Sequence, residues 1–559
     1  MKIAGISRGH NASVCLINDG EVEFYIEEER LTRSKYDGAP FKGLLFLKEY
    51  ADEVDYIAVS HTYTFEPPMD WTQEDLYMGF ARKIGLIKNE KQYFKMGDKH
   101  HELHAALAFY NSGFDTAAAL IVDGAGTFIQ LGEGITGYEF ESIFKVSYPD
   151  DFLPIYKHIG VKGWDRENLK QKGPKGEELF FTKHPGIAKT YEAATNYCDF
   201  HVLEAGKTMG LSALGKQNKK IPKLFDDDNL SNKEFFIPDF PNGALLNKEK
   251  FKWLETSNKE ELQKNRQDIA YAVQKETERE MCFLINKALD LTKENNIVIS
   301  GGYALNCVAN YRYLDHLKNK INLYIEPVSH DGGTSLGAAK RLWYQLTKNT
   351  KKKPIKNLYL GPQYKTEKYK ILLKGRKVES AGEKKIVEII EEKNIVAIFQ
   401  GSSEAGPRAL GNRSFLFDPR VINGKDIVNK VKKREWFRPF AGTILEEDVH
   451  KWFDLRKMDQ SPYMMYAVNC KPNIKEKIPA VIHFDNTCRI QTVNKEQNEN
   501  FYNLIKAFKN KTKVPILFNT SLNLAGEPLV ETLKDALNLL DNSEVKYLYL
   551  PEIKKLVIK

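Results

Sequence analysis

The stretch Gly401-Ser-Ser-Glu-Ala-Gly-Pro-Arg-Ala-Leu-Gly-Asn-Arg-Ser-Phe-Leu-Phe-Asp-Pro-Arg420 is the most informative part of this 559-residue chain. It places Arg408, Arg413 and Arg420 within thirteen residues, among tight-turn residues such as Gly406 and Gly411. Guanidinium groups match the geometry of phosphate and carboxylate, and glycine lets backbone N–H groups approach an anion closely. The stretch therefore predicts an anion-binding loop, with a solvent-exposed basic turn as the alternative.

Outward from this loop, the chain divides into two predicted domains, 1–347 and 358–559, joined by a linker at 348–357. Residues 348–354 read Lys-Asn-Thr-Lys-Lys-Lys-Pro, which is polar, charged and closed by proline, as expected of a linker. In the second domain a strand at 395–399 leads into the arginine loop. Helical patterns at 383–393, 424–434 and 531–541 make this domain mixed α/β.

The first domain contains what reads as an internal duplication. Strands are predicted at 2–7, 12–18 and 21–28, with Asp19-Gly20 as a tight turn, and a similar strand–loop–strand–turn–strand unit recurs at 116–147. The pattern resembles the actin, hexokinase and Hsp70 class of ATPases, in which two such hairpins face the phosphates of a nucleotide. The resemblance implies an α/β ATPase-type domain of the actin-like (ASKHA) class.

A metal site is predicted near the start of a helix at 98–111. His100 and His104 are four residues apart and so share one helix face, where two imidazoles can hold one metal. Asp123 follows an apolar strand and Asp331 precedes a helix, and this donor set suits iron, manganese or zinc. The alternatives are a chance histidine pair and turn or helix-cap roles for the two aspartates.

Glycine-rich turns suggest a nucleotide site beside this metal. Gly301-Gly302 precedes Asn306 and a helix, so backbone N–H groups are predicted to face phosphates, although no Walker-type loop occurs. His10, in the first strand–strand loop, is a candidate general base or anion donor, with a structural histidine as the alternative. Glycine-rich turns without a ligand remain the alternative for the other residues.

Composition limits the function classes. The chain has 83 basic and 75 acidic residues, a net charge of +8 that suits small anionic substrates and gives little support for nucleic acid. Six scattered cysteines without a CxxC pair indicate reduced thiols. The sequence lacks a signal-peptide pattern and any run of 18 apolar residues, so a cytoplasmic protein without a membrane span is expected.

Together these motifs resemble the O-carbamoyltransferases, the family that modifies antibiotics and nodulation factors. The N-terminal half resembles the Kae1-like domain of that family, which is related to tRNA threonylcarbamoyl transferases, and the C-terminal half resembles its YrdC-like domain. The first resemblance rests on His10, Glu28-Glu29-Arg30 with Arg33 and Lys35, His100 and His104, Asp123-Gly124, Lys207 to Leu211, and Gly301-Gly302 through Asn310. The second rests on Gly406 to Ser414, Arg434 to Phe440, and Asn519 to Asn523.

The resemblance implies a two-site reaction. Carbamoyl phosphate would be cleaved to carbamate and phosphate in the C-terminal half; carbamate would then pass internally to the N-terminal half and attack the α-phosphate of ATP, giving carbamoyl-adenylate. His10 would assist the acceptor hydroxyl. The implied sites are catalytic His10, Lys35, Arg408 and Arg438; metal ligands His100, His104, Asp123 and Asp331; ATP-binding Gly124, Gly126, Lys207, Gly210, Gly301, Gly302 and Asn306; and carbamoyl phosphate-binding Arg408, Lys432 (or Lys433), Arg438, Asn519 and Ser521.

The implied cofactors are ATP and a divalent metal, iron in related enzymes, with Mg²⁺ as a further candidate. The implied acceptor is a hydroxyl of a small molecule, sugar or nucleoside, and a homodimer is expected by analogy. Three alternatives stay open: a tRNA threonylcarbamoyl transferase-like enzyme acting on nucleic acid, a sugar or acetate kinase, and a non-catalytic ATP-dependent nucleic-acid-binding protein.

Overall fold

The computed structural model describes residues 1–62, 75–132, 134–162, 164, 168–226, 230–239, 243–317 and 321–559. The chain forms two compact units, Met1–Glu23 with Asp37–Ile355 and Phe24–Tyr36 with Lys356–Lys559. Both units combine sheets with helices, which confirms the predicted α/β class. Phe24–Tyr36 belongs to the second unit, although it falls within the stretch 1–347 that was predicted as the first domain.

The elements up to the end of the first unit alternate strands with helices. In chain order they are β1 (Lys2–Ser7), β2 (Ser13–Asn18), β3 (Glu21–Glu27), α1 (Glu28–Thr32), α2 (Phe41–Tyr50), β4 (Tyr56–Ser60), α3 (Leu76–Lys83), β5 (Tyr93–Lys95), α4 (His100–Ser112), β6 (Thr116–Val122), β7 (Phe128–Gly132), β8 (Ile135–Ser147), β9 (Asp151–Lys162), β10 (Leu169–Lys172), β11 (Glu178–Thr182), α5 (Ile187–Tyr197), α6 (Ala205–Leu211), β12 (Phe236–Asp239), β13 (Gly243–Leu246), α7 (Lys259–Thr292), β14 (Asn296–Ser300), α8 (Cys307–His316), β15 (Asn322–Ile325) and α9 (Thr334–Thr347).

Two sheets of this unit repeat one strand order. The first runs β3-β2-β1-β4-β5, and the second contains the order β9-β8-β6-β14-β15. In each, the central strand pairs antiparallel with the hairpin strand beside it and parallel with the strand on its other side. The strand order therefore supports a duplication.

The duplicated segment differs from the one predicted at 116–147. Strands β6 and β7 do not pair with each other: both pair antiparallel with β8, and the third strand of the repeat is β9. The long strand β8 spans both partners, so the loop 123–127 interrupts what is otherwise one edge of β8. The predicted turn at 132–134 includes position 133, which lies outside the described residues.

Two helices connect the sheets. Helix α9 packs on β1, β2 and β4, helix α4 packs on β6 and β14, and the two helices pack against each other. A Cβ atom at Gly337 would lie 2.2 Å from the carbonyl oxygen of Leu103, so this close approach requires glycine. The N-terminal ends of the helices meet where His100 Nε2 lies 3.5 Å from Asp331 Oδ1.

The second unit is built on one ten-stranded mixed sheet, in the order β16-β25-β24-β17-β18-β23-β19-β22-β21-β20. Its elements after residue 356 are α10 (Tyr369–Leu372), β16 (Lys377–Ser380), α11 (Glu383–Glu391), β17 (Val396–Phe399), β18 (Arg413–Phe417), α12 (Gly424–Val431), β19 (Ala441–Leu445), α13 (Val449–Trp452), β20 (Phe453–Asp454), β21 (Ala467–Cys470), β22 (Thr487–Val493), α14 (Glu499–Thr512), β23 (Ile516–Ser521), α15 (Leu533–Asp541), β24 (Tyr547–Leu550) and β25 (Lys555–Ile558).

The arginine-rich loop connects two neighbouring central strands of this sheet. Strands β17 and β18 pair antiparallel, and the loop between them runs from position 400 to position 412. Strand β18 also pairs with β23, which ends at Ser521. Among the described helices, none combines the length and the apolar character that crossing a membrane requires.

Candidate functional site

Four side chains of the first unit form a buried cluster of metal-type ligands. His100, His104, Asp123 and Asp331 each offer one ligand atom, and these atoms lie within 4.8 Å of one another. His100 Nε2 lies 3.2 Å from His104 Nε2 and 3.5 Å from Asp123 Oδ2. Asp331 Oδ1 lies 3.6 Å from His104 Nε2. The structure thus brings together the four residues that were predicted as a metal site.

Backbone and hydroxyl groups hold this cluster in place. Asp123 Oδ1 accepts a hydrogen bond of 2.8 Å from the Gly302 N–H, which leaves its other oxygen turned to His100. The hydroxyl of Ser300 lies 3.4 Å from His104 Nδ1. Gly301, between these residues, has a φ of 93° that glycine adopts without strain. Such outer contacts orient metal-binding side chains in proteins.

The charges of the cluster match those expected of a cation site. Burial opposes a charge on His100, but the carboxylates of Asp331 and Asp123 outweigh it and raise the pKa of His100 to about 10. Burial and the Asp331 charge act to raise the pKa of Asp123, yet the two histidines lower it to about 2. Two imidazoles and two carboxylates are donors that suit a divalent transition metal. The residues present therefore fit such a metal.

His10 lies next to the cluster. Its Nδ1 atom is 3.7 Å from Asp331 Oδ2, the carboxylate oxygen that is not turned to the histidine pair. The side chain of His10 is 45% exposed, whereas Asp331 is buried. His10 is thus placed between the buried cluster and solvent, in the loop between β1 and β2.

The glycines predicted to bind ATP lie at the ends of β6 and β14. Gly124 and Gly126 belong to the loop after β6, and a Cβ atom at Gly126 would lie 2.5 Å from the His101 ring. The Gly302 N–H is already bonded to Asp123. At Gly126 and Gly302, close contacts within the protein therefore account for part of the need for glycine.

The remaining predicted ATP residues lie on helices and make internal contacts. Asn306 Oδ1 accepts a hydrogen bond of 3.1 Å from the Ala309 N–H and so caps α8. Lys207 forms an ion pair of 2.8 Å with Glu204, and Gly210 is buried in α6. The structure does not bring these three residues into the four-residue cluster.

A second cluster, in the second unit, gathers positive charges. Burial lowers the pKa of Arg434 to about 9, and the charges of Arg438 and Arg489 add to this effect. Burial likewise lowers the pKa of Lys432 well below its usual value, again with contributions from Arg434 and Arg438. Arg489 Nε is buried with no hydrogen-bond partner among the described residues. We call Lys432, Arg434, Arg438 and Arg489 the cationic cluster.

Lys432 also organises the end of β23. Its Nζ donates to the carbonyl of Ser521 and, at 2.8 Å and 3.0 Å, to the carbonyl and side-chain oxygens of Asn523. Lys433 is exposed, and its φ of 52° places it in a turn. Of the two lysines predicted as alternatives, Lys432 is therefore the one that lies with Ser521.

Asn519 connects the arginine-rich loop with this region. Its Nδ2 donates to the carbonyl of Ala409 at 3.2 Å and to Thr443 Oγ1 at 3.0 Å. Its Oδ1 is buried with no hydrogen-bond partner among the described residues. Arg408 is the chain neighbour of Ala409, whose carbonyl Asn519 binds.

Two of the three arginines in the predicted anion-binding loop 401–420 are bonded to groups of the protein itself. Arg413 is fully buried and donates to the backbone carbonyls of Gln400, Gly401 and Asn412. Arg420 forms ion pairs of 2.7 Å with Asp418 and 3.2 Å with Glu391. Both guanidinium groups are thus used to hold the fold.

Lys35 was predicted to be catalytic together with His10. It lies in Phe24–Tyr36, which belongs to the second unit. Its side chain is exposed, with Nζ 4.8 Å from the centre of the Tyr36 ring.

Two members of the cationic cluster were not predicted as binding residues. Arg434 ends a Lys-Lys-Arg run that looked like a solvated helix end. Arg489 is the one charged residue of β22, Thr487–Val493, and a single arginine inside a strand was the available signal.

Two family profiles match the chain. The profile described as Carbamoyltransferase N-terminus matches residues 70–340, and the profile described as Carbamoyltransferase C-terminus matches residues 387–556. These matches define the class of protein, an enzyme that transfers carbamoyl groups, and remove the non-catalytic alternative. A Synechocystis sp. protein, Uncharacterized protein sll1178, is 31% identical over 98% of this chain and 95% of its own length. The chain belongs to the O-carbamoyltransferase family, which confirms the resemblance found in its sequence.

Other similar proteins include Nodulation protein NolNO of Sinorhizobium fredii, which is 28% identical over 94% of this chain and 76% of its own length. Among solved structures, full-length HypF in a phosphate- and nucleotide-bound form covers 62% of this chain and 56% of its own, with 13% identity and a TM-score of 0.35. A ROK family glucokinase from Streptomyces griseus covers 60% of this chain and 98% of its own, with 10% identity and a TM-score of 0.30. At these TM-scores the structural matches carry no weight.

Proposed function

We propose that this carbamoyltransferase uses carbamoyl phosphate and ATP, through a carbamoyl-adenylate, to carbamoylate a hydroxyl group. The acceptor would be a small molecule, a sugar or a nucleoside. The observation that carries the proposal is the cationic cluster, in which buried Lys432 and half-buried Arg434 lie within the positive field of Arg438. Like charges buried together are costly unless an anion joins them, and carbamoyl phosphate supplies a compact, doubly charged one.

The second unit would hold carbamoyl phosphate. Arg438 and Arg408 would bind phosphate oxygens, and Asn519, whose Oδ1 lacks a partner, would accept a hydrogen bond from the carbamoyl amide. Lys432 and Ser521 would complete the site. Water would cleave the phosphate group from the carbamoyl group, giving carbamate and inorganic phosphate. We also propose for this unit the YrdC-like fold that the family resemblance implies.

The first unit would hold ATP in an actin-like, Kae1-like fold, as its repeated strand order suggests. A divalent metal held by His100, His104, Asp123 and Asp331 would supply positive charge for triphosphate oxygens. Iron is the metal that the family resemblance favours. The carbamate oxygen would attack the α-phosphate of ATP, releasing pyrophosphate and forming carbamoyl-adenylate.

His10 would act at the acceptor. Its exposed ring lies 3.7 Å from the buried carboxylate of Asp331, which would orient it. The acceptor hydroxyl would lose its proton to His10 and attack the carbamoyl carbon, with AMP as the leaving group. The partial exposure of His10 fits a residue that meets an incoming substrate.

A product assay with carbamoyl phosphate and ATP tests the proposal. We expect phosphate, pyrophosphate and, with an acceptor present, AMP. Arg438→Ala should stop phosphate release, whereas Arg420→Ala, which removes an ion pair with Asp418, should leave it unchanged. Formation of ADP without pyrophosphate would instead identify a kinase, and unchanged phosphate release in Arg438→Ala would contradict the role of the cationic cluster.

A further inference from the structure

The loop between β17 and β18 contains its own anion. Glu404 is only 1% exposed, and its Oε1 accepts hydrogen bonds from the backbone N–H groups of Leu410 at 2.7 Å, Asn412 at 2.8 Å and Arg413 at 3.1 Å. Successive backbone N–H groups that converge in this way form an anion-binding nest. The nest that the glycine-rich sequence suggested for a ligand is therefore filled by a carboxylate of the same loop.

The start of the loop is fixed by the segment Phe24–Tyr36, which belongs to the same unit. Arg30 donates to the carbonyl of Glu404 and, at 2.7 Å, to the carbonyl of Gly406. Glu27 Oε1 accepts a hydrogen bond of 3.2 Å from the Gly406 N–H. The backbone before Arg408 is thus held by contacts separate from those of the Glu404 carboxylate.

The backbone after Arg408 is held as firmly. Asn519 Nδ2 donates to the carbonyl of Ala409 at 3.2 Å, and Gln491 Nε2 donates to the carbonyl of Leu410 at 2.9 Å. The N–H of the same Leu410 is bonded to Glu404. Arg408 therefore lies between two short stretches of backbone whose polar groups are bonded, and Glu404 contributes to both.

We propose that Glu404 is a positioning residue for Arg408: its carboxylate holds the loop in the shape that presents the Arg408 guanidinium to carbamoyl phosphate. This inference rests on the proposed function of the second unit. Without the carboxylate, three buried N–H groups would lack an acceptor, which is costly enough to make the loop rearrange. A rearranged loop would misplace Arg408, whereas the cationic cluster itself would keep its position on β22 and in the segment that follows α12.

Loss of the Glu404 carboxylate should therefore raise the KM for carbamoyl phosphate and leave the KM for ATP unchanged. The assay is the exchange of radiolabelled pyrophosphate into ATP in the presence of carbamoyl phosphate, which requires no acceptor, measured on the full chain. We expect Glu404→Ala to raise the KM for carbamoyl phosphate at least tenfold while the KM for ATP stays within twofold of the parent. A general loss of stability would change both constants or only the amount of active enzyme.

Glu404→Gln provides the conservative variant. Glutamine keeps an oxygen at the Oε1 position, and its amide replaces Oε2, which is buried with no hydrogen-bond partner among the described residues. We expect its KM for carbamoyl phosphate to be within threefold of the parent. Asp448→Ala is the matched control, because Asp448 is a buried carboxylate of the same unit that instead forms ion pairs with Lys509 and Lys451. It should change neither KM.

Two results would overturn the inference: a KM for carbamoyl phosphate within twofold of the parent in Glu404→Ala, or an equal rise of both KM values. If Glu404→Ala does not accumulate in soluble form, Glu404→Asp replaces it. The shorter carboxylate cannot reach all three N–H groups, so a fivefold rise is expected and a parental KM refutes the role. Arg408→Ala distinguishes a failure of the proposed carbamoyl phosphate site from a failure of the positioning role of Glu404. If Arg408→Ala leaves the KM for carbamoyl phosphate unchanged, the proposed site is wrong. If Arg408→Ala raises this KM but the Glu404 variants leave it unchanged, only the positioning role is wrong.

Discussion

The two units bury clusters of opposite electrical character. In the first unit, the carboxylates of Asp123 and Asp331 adjoin a histidine pair, a donor set that suits a cation. In the second unit, Lys432, Arg434 and their arginine neighbours lie together, with Glu435 and Glu527 as the acids that act on them. Each arrangement therefore favours a ligand of opposite charge.

The two clusters also differ in the pKa values of their titratable groups. The first cluster can take up a proton, since its carboxylates raise the pKa of His100 to about 10. In the second cluster, burial lowers the pKa of Lys432 well below its usual value but lowers the pKa of Arg434 only to about 9. Arg434 therefore keeps its positive charge at neutral pH, and this charge favours a bound anion.

The largest expected effect comes from removing one cation of the second cluster. Arg438→Ala should lower kcat/KM for carbamoyl phosphate by about a thousandfold, because a buried charge that pairs with a bound anion contributes on the order of 4 kcal/mol. Pyrophosphate exchange into ATP measures this. Bound metal should stay at the parental level, and a loss of metal in Arg438→Ala would show that the clusters are not independent.

A substitution in the first cluster should weaken metal binding there and leave the cationic cluster unchanged. His104→Ala removes one of four metal-type ligands, so affinity for Fe²⁺ or Zn²⁺ should fall at least a hundredfold, as measured by titration with elemental analysis. Asn18→Ala, at a solvent-exposed hydrogen bond to Glu23, is the control and should keep parental metal affinity. Unchanged metal binding in His104→Ala would contradict the ligand assignment.

Lys432 gives the cationic cluster a defined pH dependence. Its folded pKa lies well below the unfolded value of 10.5, so the unfolded chain binds more protons between these two values. The free energy of unfolding should therefore gain a contribution that rises with pH in this window. The comparison of parent and Lys432→Met by urea unfolding at several pH values measures it. Saturating phosphate should flatten the rise, and a rise that phosphate leaves unchanged would contradict anion binding there.

The smallest effect is expected at Arg420. This guanidinium is one-third exposed and already paired with Asp418 and Glu391, so Arg420→Ala should cost about 1 kcal/mol of stability and leave both KM values unchanged. Thermal unfolding and the exchange assay measure the two quantities. An increased KM for carbamoyl phosphate in Arg420→Ala would show that Arg420 contributes to binding this substrate.

The sequence allowed the first cluster to be predicted more fully than the second. Helical spacing places His100 and His104 on one face, and Asp123 and Asp331 stand at the ends of a strand and a helix, where side chains converge. The topology was predicted less well, since β9 rather than β7 continues the repeated hairpin. Strand length in β8 decides that pairing, and local pattern does not reveal it.

The arginine-rich loop shows why the second site was harder to predict. Arg408, Arg413 and Arg420 are the same residue type in one short stretch, but Arg413 is used by backbone carbonyls and Arg420 by carboxylates. Those partners are set by the tertiary fold. The role of Glu404 was hidden for the same reason, because the N–H groups it accepts belong to a turn six to nine residues later.

Calorimetric titration with inorganic phosphate, in the absence of ATP and metal, tests the central claim most directly. We expect one phosphate bound per chain, binding weakened at least a hundredfold in Arg438→Ala and in Arg489→Ala, and parental binding in His104→Ala. Parental phosphate affinity in both arginine variants, or loss of phosphate binding in His104→Ala, would contradict the assignment of the anion to the cationic cluster.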